Sequence, residues 1–415
     1  MLFRSDRHLR PGGKADPSYD QFQQYAVQYY SANPVSILDQ LKELAGQIRN
    51  ANGGKDLPLV MSEFNIHTAR DFAKRATTMD SPEEFPDVGS MAASIAHSGL
   101  GELYFFRLTL SKNLDEGGVK KNGVHHVNEE GAVPEITGTT LAAEVIRLAA
   151  IALRNGKDLL EVKGPAILRA AATRQSGELQ LLLARTNNTP RPELEVTLPS
   201  STSGSLLTWE TVEPGHFGTT RILEPATTLR LSLPSTSVGL LRSRPFQGVK
   251  PTVIPTSACY STDSARLATG GTNLEQSLFQ FSIPPPSPKA SVFLHLQAKS
   301  SPAASVPLHL YSVTGNLPDA SALKAGSFPF RKKDLPQPQS PGLTVQGLGK
   351  EIEWVRGFTL DPLQKEVWVD ITSAFLREPK SQKSLLLARD LRHKDDLPEA
   401  EPVEWQSAEL VLYPR

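Results

Sequence analysis

The chain has 415 residues, with 44 basic and 44 acidic side chains, and its length allows about two to four domains. The balanced charge gives no net field that favours nucleic acid or an anionic membrane, and no apolar run approaches the ~18 residues of a membrane helix. The single cysteine, Cys259, excludes an intramolecular disulfide framework and a thiolate metal cluster.

The first part of the chain, residues 1–156, alternates helix-like and strand-like segments. Apolar residues recur at helical spacing over residues 36–54, where Gly53 and Gly54 predict the end of the helix. A short apolar run, LPLVMSE, predicts a strand buried on both faces. Further segments predict a helix near residues 86–99, a strand near 100–110 and a long helix ending at Gly156. This order is typical of a parallel α/β layer.

From residue 157 the hydrophobic period changes to two. The segments AILRAAATR, GELQLLLART, PELEVTLP, GSLLTWETV and TTLRLSLP predict an antiparallel β-sandwich over residues 157–245. The stretch RSRPFQGVKPTVIPTS is interpreted as a connector. A third block, residues 246–415, contains further predicted strands separated by loops rich in proline and lysine.

The apolar run that predicts a buried strand ends on a carboxylate, Glu63, followed by Phe64 and Asn65. A buried strand end tolerates a carboxylate only in polar surroundings, which indicates either a catalytic role or a structural pairing. The motif MSEFN resembles the strand-seven motif of retaining glycoside hydrolases of the β-xylosidase and α-iduronidase type, which have a (β/α)8 barrel. The segments GSMAASIAHSGLGELYFFRL and NGVHHVNEEGAVPEITGTTLAAEVIRLAAIAL are similar to the last helices and strand of such barrels.

This resemblance implies roles for individual side chains. Glu63 would be the catalytic nucleophile, and Asn65, His67, Tyr104 and Arg107 would bind substrate or hold the carboxylate. The chemistry suits the residue type, because a retaining glycosidase needs one ionised carboxylate and one protonated carboxyl group roughly 5 Å apart. The partners would be a polysaccharide or oligosaccharide substrate, with no nucleic acid and no membrane. No cofactor and no metal in the active site are expected, and a structural calcium ion is left open.

The resemblance covers only the end of a barrel, since a complete one needs about 250 residues. The expected fold is therefore multidomain, α/β plus all-β, with the last two βα units of a (β/α)8 barrel before the β-sandwich. The chain would be the C-terminal part of a longer enzyme. This part lacks the acid/base residue and would be inactive alone. Besides the substrate, its partner would be the missing N-terminal half of the barrel, from the same protein. The enzyme would be secreted or attached to the cell surface.

The third block resembles a jelly-roll module called the DNRLRE domain, whose relatives occur as carbohydrate-binding modules. The resemblance is carried by SVFLHLQAK, VPLHLYSVTGN and EVWVDITSAF, although the literal DNRLRE stretch is absent. Three tryptophans, Trp354, Trp368 and Trp405, would either stack on sugar rings or pack in the core.

Two other interpretations stay open. The chain could be a non-catalytic, multi-module carbohydrate-binding or cell-surface protein, or an α/β enzyme of another class that uses a strand-end glutamate as a base. His125 and His126 with Glu129 and Glu130 match no common zinc spacing, so they are interpreted as a solvated loop.

Overall fold

The structure is a computed structural model, and the residues that it describes begin at Tyr25. In the strands between residues 25 and 139 it describes the backbone alone, and in the first helix it describes side chains from residue 43. The described ranges are 25–30, 34–55, 59–65, 100–105, 125–128, 135–139, 141–153, 158–164, 168–185, 193–202, 204–213, 216–234, 237–261, 267–269, 276–284, 289–313, 352–377, 382–389 and 402–415.

The N-terminal part contains a three-stranded parallel sheet in which the strands follow one another in chain order. Its strands are β1 (Tyr25–Tyr30), β2 (Leu59–Asn65) and β3 (Leu100–Phe105). The sequence analysis did not predict β1, although its composition of tyrosine and valine is typical of a strand. The helix predicted near residues 86–99 lies outside the described residues.

Helix α1 (Pro34–Ala51) connects β1 to β2 and confirms the predicted helix. Proline suits its first position, because the first amide of a helix has no carbonyl partner within the helix. At the other end, Gly53 and Gly54 have positive φ angles of 62° and 83°. The Gly54 amide donates to the Arg49 carbonyl at 2.8 Å, which satisfies one of the last carbonyl groups.

Residues interpreted as a solvated loop form part of a hairpin instead. Strand β4 (His125–Asn128) pairs antiparallel with β5 (Glu135–Thr139). Helix α2 (Leu141–Leu153) follows, and it buries Leu141, Val145 and Leu148 completely. It packs on the next sheet of the chain, where the Thr173 hydroxyl donates to the Ala152 carbonyl at 2.5 Å.

The middle of the chain forms a six-stranded and a two-stranded antiparallel sheet that share one apolar core. Trp209 lies in this core, 2% exposed. The six-stranded sheet has α2 on its second face, which explains why β13 is buried along its whole length. The strands are β6 (Asp158–Leu160), β7 (Leu168–Gln175), β8 (Glu178–Arg185), β9 (Glu193–Thr197), β10 (Leu206–Val212), β11 (Thr220–Leu223), β12 (Thr228–Ser232) and β13 (Ser237–Arg244).

The last part consists of two five-stranded antiparallel sheets that enclose a second apolar core. The first contains β14, β16, β18, β21 and β23, and the second contains β15, β17, β19, β20 and β22. The short helix α3 (Thr372–Arg377) follows β21. The strands are β14 (Thr252–Pro255), β15 (Ala258–Ser261), β16 (Ala268–Thr269), β17 (Ser277–Ser282), β18 (Ala290–Ala298), β19 (Val306–Val313), β20 (Ile352–Leu360), β21 (Glu366–Asp370), β22 (Gln382–Arg389) and β23 (Val403–Pro414).

The predicted connector at residues 242–257 is wrong in part. It contains the end of β13 and the whole of β14, because these segments pair with β10 and β8 and with β23 respectively. Over the described residues, most of the chain after residue 157 is antiparallel β-structure with little helix. No helix among all of the described residues has the length and apolar character to cross a membrane.

Candidate functional site

Glu63 lies in the C-terminal half of the central strand of the parallel sheet. Strand β2 pairs with β1 on one side and with β3 on the other, so both edges of its backbone are hydrogen-bonded. In parallel α/β folds, ligands bind at the carboxyl ends of the strands. The predicted carboxylate therefore lies in a strand segment that is close to the ligand-binding edge in such folds.

The backbone around Glu63 is irregular on both sides. Against β1, Met61 faces Val27 and Glu63 faces Gln28, so Ser62 is one residue too many. The register against β3 shifts in the same segment, between Met61 and Phe64. An extra residue of this kind is a β-bulge, and bulges are rare between parallel strands and over-represented next to active sites. The sequence analysis did not predict this feature.

Two of the predicted substrate-binding residues lie near Glu63 in the sheet. Asn65 is the last residue of β2 and faces Tyr30, the last residue of β1. Phe64 of β2 faces Phe105 of β3. Glu63 and Tyr104 are the residues immediately before this pair, one on each strand. The other two predicted residues, His67 and Arg107, lie outside the described residues.

A second polar cluster joins α2 to the two β-rich parts of the chain. Glu144 is completely buried, and its carboxylate accepts from the Gly357 amide at 2.6 Å and pairs with Arg147 at 2.8 Å. Arg147 also pairs with Glu210 of β10. Arg356, also completely buried, pairs with Glu210 at 2.7 Å. Glu210 is therefore shared by a guanidinium from α2 and one from β20.

A third cluster joins β13 to the first five-stranded sheet. Asp370, at the end of β21, pairs with Arg242 at 2.9 Å and with Arg244. Glu178 of β8 pairs with Arg242 at 2.6 Å. Asp370 also accepts from the Thr372 amide at 3.0 Å, which leads the chain into α3.

The electrostatics of this cluster keep its carboxylates ionised. Burial alone would raise the pKa of Glu178, but Arg242 and Arg244 outweigh it and lower the pKa to about 2. The same balance of burial against Arg244 and Arg242 holds the pKa of Asp370 well below its usual range. Burial lowers the pKa of Arg244 to about 10, so the guanidinium still carries its charge at neutral pH.

These two clusters act as structural joints. A general acid must keep its proton near neutral pH, whereas Glu178 and Asp370 lose theirs far below it. Each of these carboxylates is also engaged by a buried guanidinium, which leaves it little capacity for substrate. The only feature of the sequence that pointed to these clusters was a pair of charged residues, Glu144 and Arg147, inside an otherwise apolar helix.

The three tryptophans considered as sugar platforms differ in environment. Trp405 is 2% exposed, and its indole donates to the Thr269 hydroxyl at 3.0 Å, so it belongs to the core. Trp368 is half-buried, and its ring stacks on His295 with the centroids 4.2 Å apart. The side chain of Trp354 lies outside the described residues.

Among the residues that the structure describes, no three histidine, cysteine, aspartate or glutamate side chains lie close enough to share a metal ion.

No protein-family model matches the chain, and no curated protein matches it. Several solved structures that it resembles are glycoside hydrolases. A glucosidase from Croceicoccus marinus is 12% identical, with a TM-score of 0.40 over 55% of this chain and 56% of that one. A β-porphyranase of glycoside hydrolase family 86 from Bacteroides plebeius is 11% identical, with a TM-score of 0.37 over 96% and 67%. A family 86 enzyme in complex with neoagarooctaose is 10% identical, with a TM-score of 0.39 over 94% and 59%. The chain thus spans only 56% of the length of the glucosidase.

Proposed function

We propose that the chain is part of a glycoside hydrolase that degrades a polysaccharide or oligosaccharide by a retaining mechanism, with Glu63 as the nucleophile. One observation carries the proposal: the segment Ser62-Glu63-Phe64-Asn65 occupies the C-terminal half of the central strand in a parallel sheet. In a (β/α)8 barrel the residues that carry the chemistry come from this end of the strands.

The topology around the segment supports the same proposal. Strands that are consecutive in the chain and adjacent in the sheet are what a barrel requires, and β1, β2 and β3 have this order. On this basis the three strands correspond to the last three of a barrel, one more than the two that the sequence analysis expected. The β-bulge at Ser62 adds a second argument, because bulges next to active sites redirect the side chains that follow them.

The proposed reaction has two steps. The ionised carboxylate of Glu63 attacks the anomeric carbon, the glycosidic C–O bond breaks, and a second carboxyl group gives its proton to the leaving oxygen. Water then attacks the glycosyl ester and gives a proton to that second group, which releases the sugar and restores Glu63. Asn65, His67, Tyr104 and Arg107 would bind sugar hydroxyls or hold the nucleophile ionised. This chemistry needs neither a metal nor another cofactor.

The remaining parts of the chain take supporting roles in the proposal. Residues 1–156 would be the end of the barrel, residues 157–245 the β-sandwich behind it, and residues 246–415 a jelly-roll module that binds carbohydrate. The two packed five-stranded sheets of the last part are compatible with a jelly roll. A polysaccharide substrate lies outside the cell, so we propose that the enzyme is secreted or attached to the cell surface.

The test uses the longest product that the gene encodes, assayed on a panel of polysaccharides and treated with 2-deoxy-2-fluoroglycosides. We expect one such reagent to label Glu63, as read by peptide mass spectrometry. Glu63→Gln should lower kcat by at least about a thousandfold, because the amide cannot form the glycosyl ester. The matched control is Glu102→Gln, the same change in the neighbouring strand, which should keep activity. Full hydrolysis by Glu63→Gln would remove the proposed role.

The alternative is a non-catalytic protein that binds carbohydrate through its β-rich parts. The observation in its favour is that Trp368, in the last part of the chain, is half-buried and lies outside the apolar core cluster, as an aromatic side chain that stacks on a sugar would. This alternative predicts retention on a polysaccharide without release of reducing ends by any product of the gene. Labelling of Glu63 by a fluoroglycoside would contradict it.

A further inference from the structure

A groove lies between the two β-rich parts of the chain. It has a volume of about 870 Å³ and is formed by β11 on one side and by residues 363–368, with neighbours from β18 and β23, on the other. Its polar and aromatic lining residues include Arg221, Gln297, Gln364, Lys365, Trp368 and Tyr413. Its volume falls within the range of small-molecule sites, and its lining combines aromatic and polar groups.

Trp368 is one of two aromatic residues that line the groove, and a neighbouring ring holds its indole in place. Its indole stacks on the His295 imidazole, with a centroid distance of 4.2 Å and an angle of 17° between the rings. His295 is in turn held by Glu366, with Nε2 and the carboxylate 3.1 Å apart. A half-buried aromatic side chain fixed in this way is a preorganised surface for the apolar face of a ligand.

The groove also contains a polar atom that needs a donor. Gln364 Oε1 is buried, and it has no hydrogen-bond partner among the described residues. A buried acceptor without a partner costs free energy, typically about 1 to 3 kcal/mol. Gln364 is a half-buried residue that lines the groove, so rotation of its terminal amide would turn Oε1 toward a ligand hydroxyl, which would then donate to this oxygen and remove the cost.

We infer that this groove binds a pyranose unit of an oligosaccharide, which stacks on Trp368 and donates a hydroxyl to Gln364. A sugar ring fits because it combines an apolar C–H face with hydroxyl donors at its edge. Arg221 and Lys365 are exposed at the groove and have no ion pair among the described residues, so acidic sugars are also admitted. The choice of a glycan rests on the proposed function, whereas the location rests on the groove itself.

The test is affinity electrophoresis of the full chain in gels that contain neutral or acidic polysaccharides. We expect retardation in at least one gel. Trp368→Ala should weaken the association constant by about tenfold, because it removes the stacking surface. Gln364→Leu keeps the side-chain volume and removes the acceptor. It should therefore weaken binding while the thermal unfolding temperature stays the same or rises.

Gln382→Leu is the matched control, since it makes the same change at an exposed position of β22 outside the groove. It should bind like the unmodified chain. The inference fails if no gel retards the chain, or if Trp368→Ala and Gln364→Leu bind as well as the control.

The outcome is separable from that of the proposed function, because binding is measured without hydrolysis. Retardation that depends on Trp368, in a protein that never labels at Glu63, would uphold the groove and reject the glycosidase. Labelling at Glu63 without retardation would do the reverse.

Discussion

Trp209 and Gly239 show how closely side chains are fitted in the middle part of the chain. The indole of Trp209 is 2% exposed and donates to the Ser232 carbonyl at 3.2 Å. It lies across Gly239 of the neighbouring strand, where an added Cβ would lie 2.1 Å from Trp209 Cη2. The position therefore requires glycine for space and not for an unusual backbone angle.

From this contact we expect Gly239→Ala to lower the free energy of unfolding by about 1 to 3 kcal/mol, since the core has no room for the methyl group. Urea unfolding followed by tryptophan fluorescence measures the change. Gly46→Ala is the matched control, because Gly46 is exposed in α1 with no atom within 4 Å of the added carbon. It should raise the stability of the helix by up to about 1 kcal/mol. Equal effects of the two substitutions would contradict the steric explanation.

At the scale of single elements, charged residues decide how the strands and helices are joined. Strand β21 ends on Asp370, whose carboxylate receives Arg242 and Arg244 from β13 and the amide of Thr372. Arg244 also lies 5.5 Å from the ring centroid of Phe293. A buried aspartate with these partners fixes the position of one sheet against the other.

Removal of this carboxylate should leave two buried guanidinium groups with Glu178 as their one remaining carboxylate among the described residues. We therefore expect Asp370→Asn to destabilise the chain by about 3 to 5 kcal/mol, the usual cost of breaking a buried ion pair on one side. Chemical denaturation of purified protein measures the difference. Asp158→Asn, the same change at an exposed position of β6, should stay within about 0.5 kcal/mol of the unmodified chain. A comparable loss in both variants would exclude a special role for Asp370.

At the scale of the whole molecule, the ion pairs of Glu178 and Asp370 with Arg242 and Arg244 make the free energy of unfolding depend on pH. The pKa of Glu178 falls from its ordinary value of 4.5 to about 2, and that of Asp370 is also lowered. At a pH between about 2 and 4.5, the unfolded chain therefore binds more protons than the folded chain. The stabilisation is complete above about pH 4.5 and is lost as the pH falls through about 2.

Unfolding free energy measured from pH 6 to pH 2.5 should consequently decline, and the decline should be less steep for Glu178→Gln. That variant no longer carries the carboxylate whose pKa differs between the two states. Glu193→Gln, at an exposed position of β9, serves as the control and should follow the unmodified chain. Parallel curves for all three proteins would mean that the joint does not contribute to the acid response.

The local pattern of the sequence predicted the helices at residues 34–51 and 141–153 and most strands after residue 157, because hydrophobic period is a property of neighbouring residues. It did not predict β6, β11, β13, β16 or β20, and it treated the end of β13 and the whole of β14 as a connector. These segments become strands through pairing with distant segments: β14 with β23, for example, and β20 with β19. The motif around Glu63 was also visible in the sequence, whereas the register shift at Ser62 was not.

What the amino-acid order determined by itself was the change from an α/β to an antiparallel β-pattern, the type of most of the long segments and the carboxylate at a strand end. Only the tertiary structure decided which charged and aromatic residues meet. Arg244 and Asp370 are 126 positions apart, and Trp368 and His295 face each other only because β18 pairs with β21 in one register. Trp405 and Trp368 look alike in the sequence, yet one is core and the other lines a groove. The physical reason is that a strand turns alternate side chains to opposite faces, and the face that becomes buried depends on the sheet that packs against it.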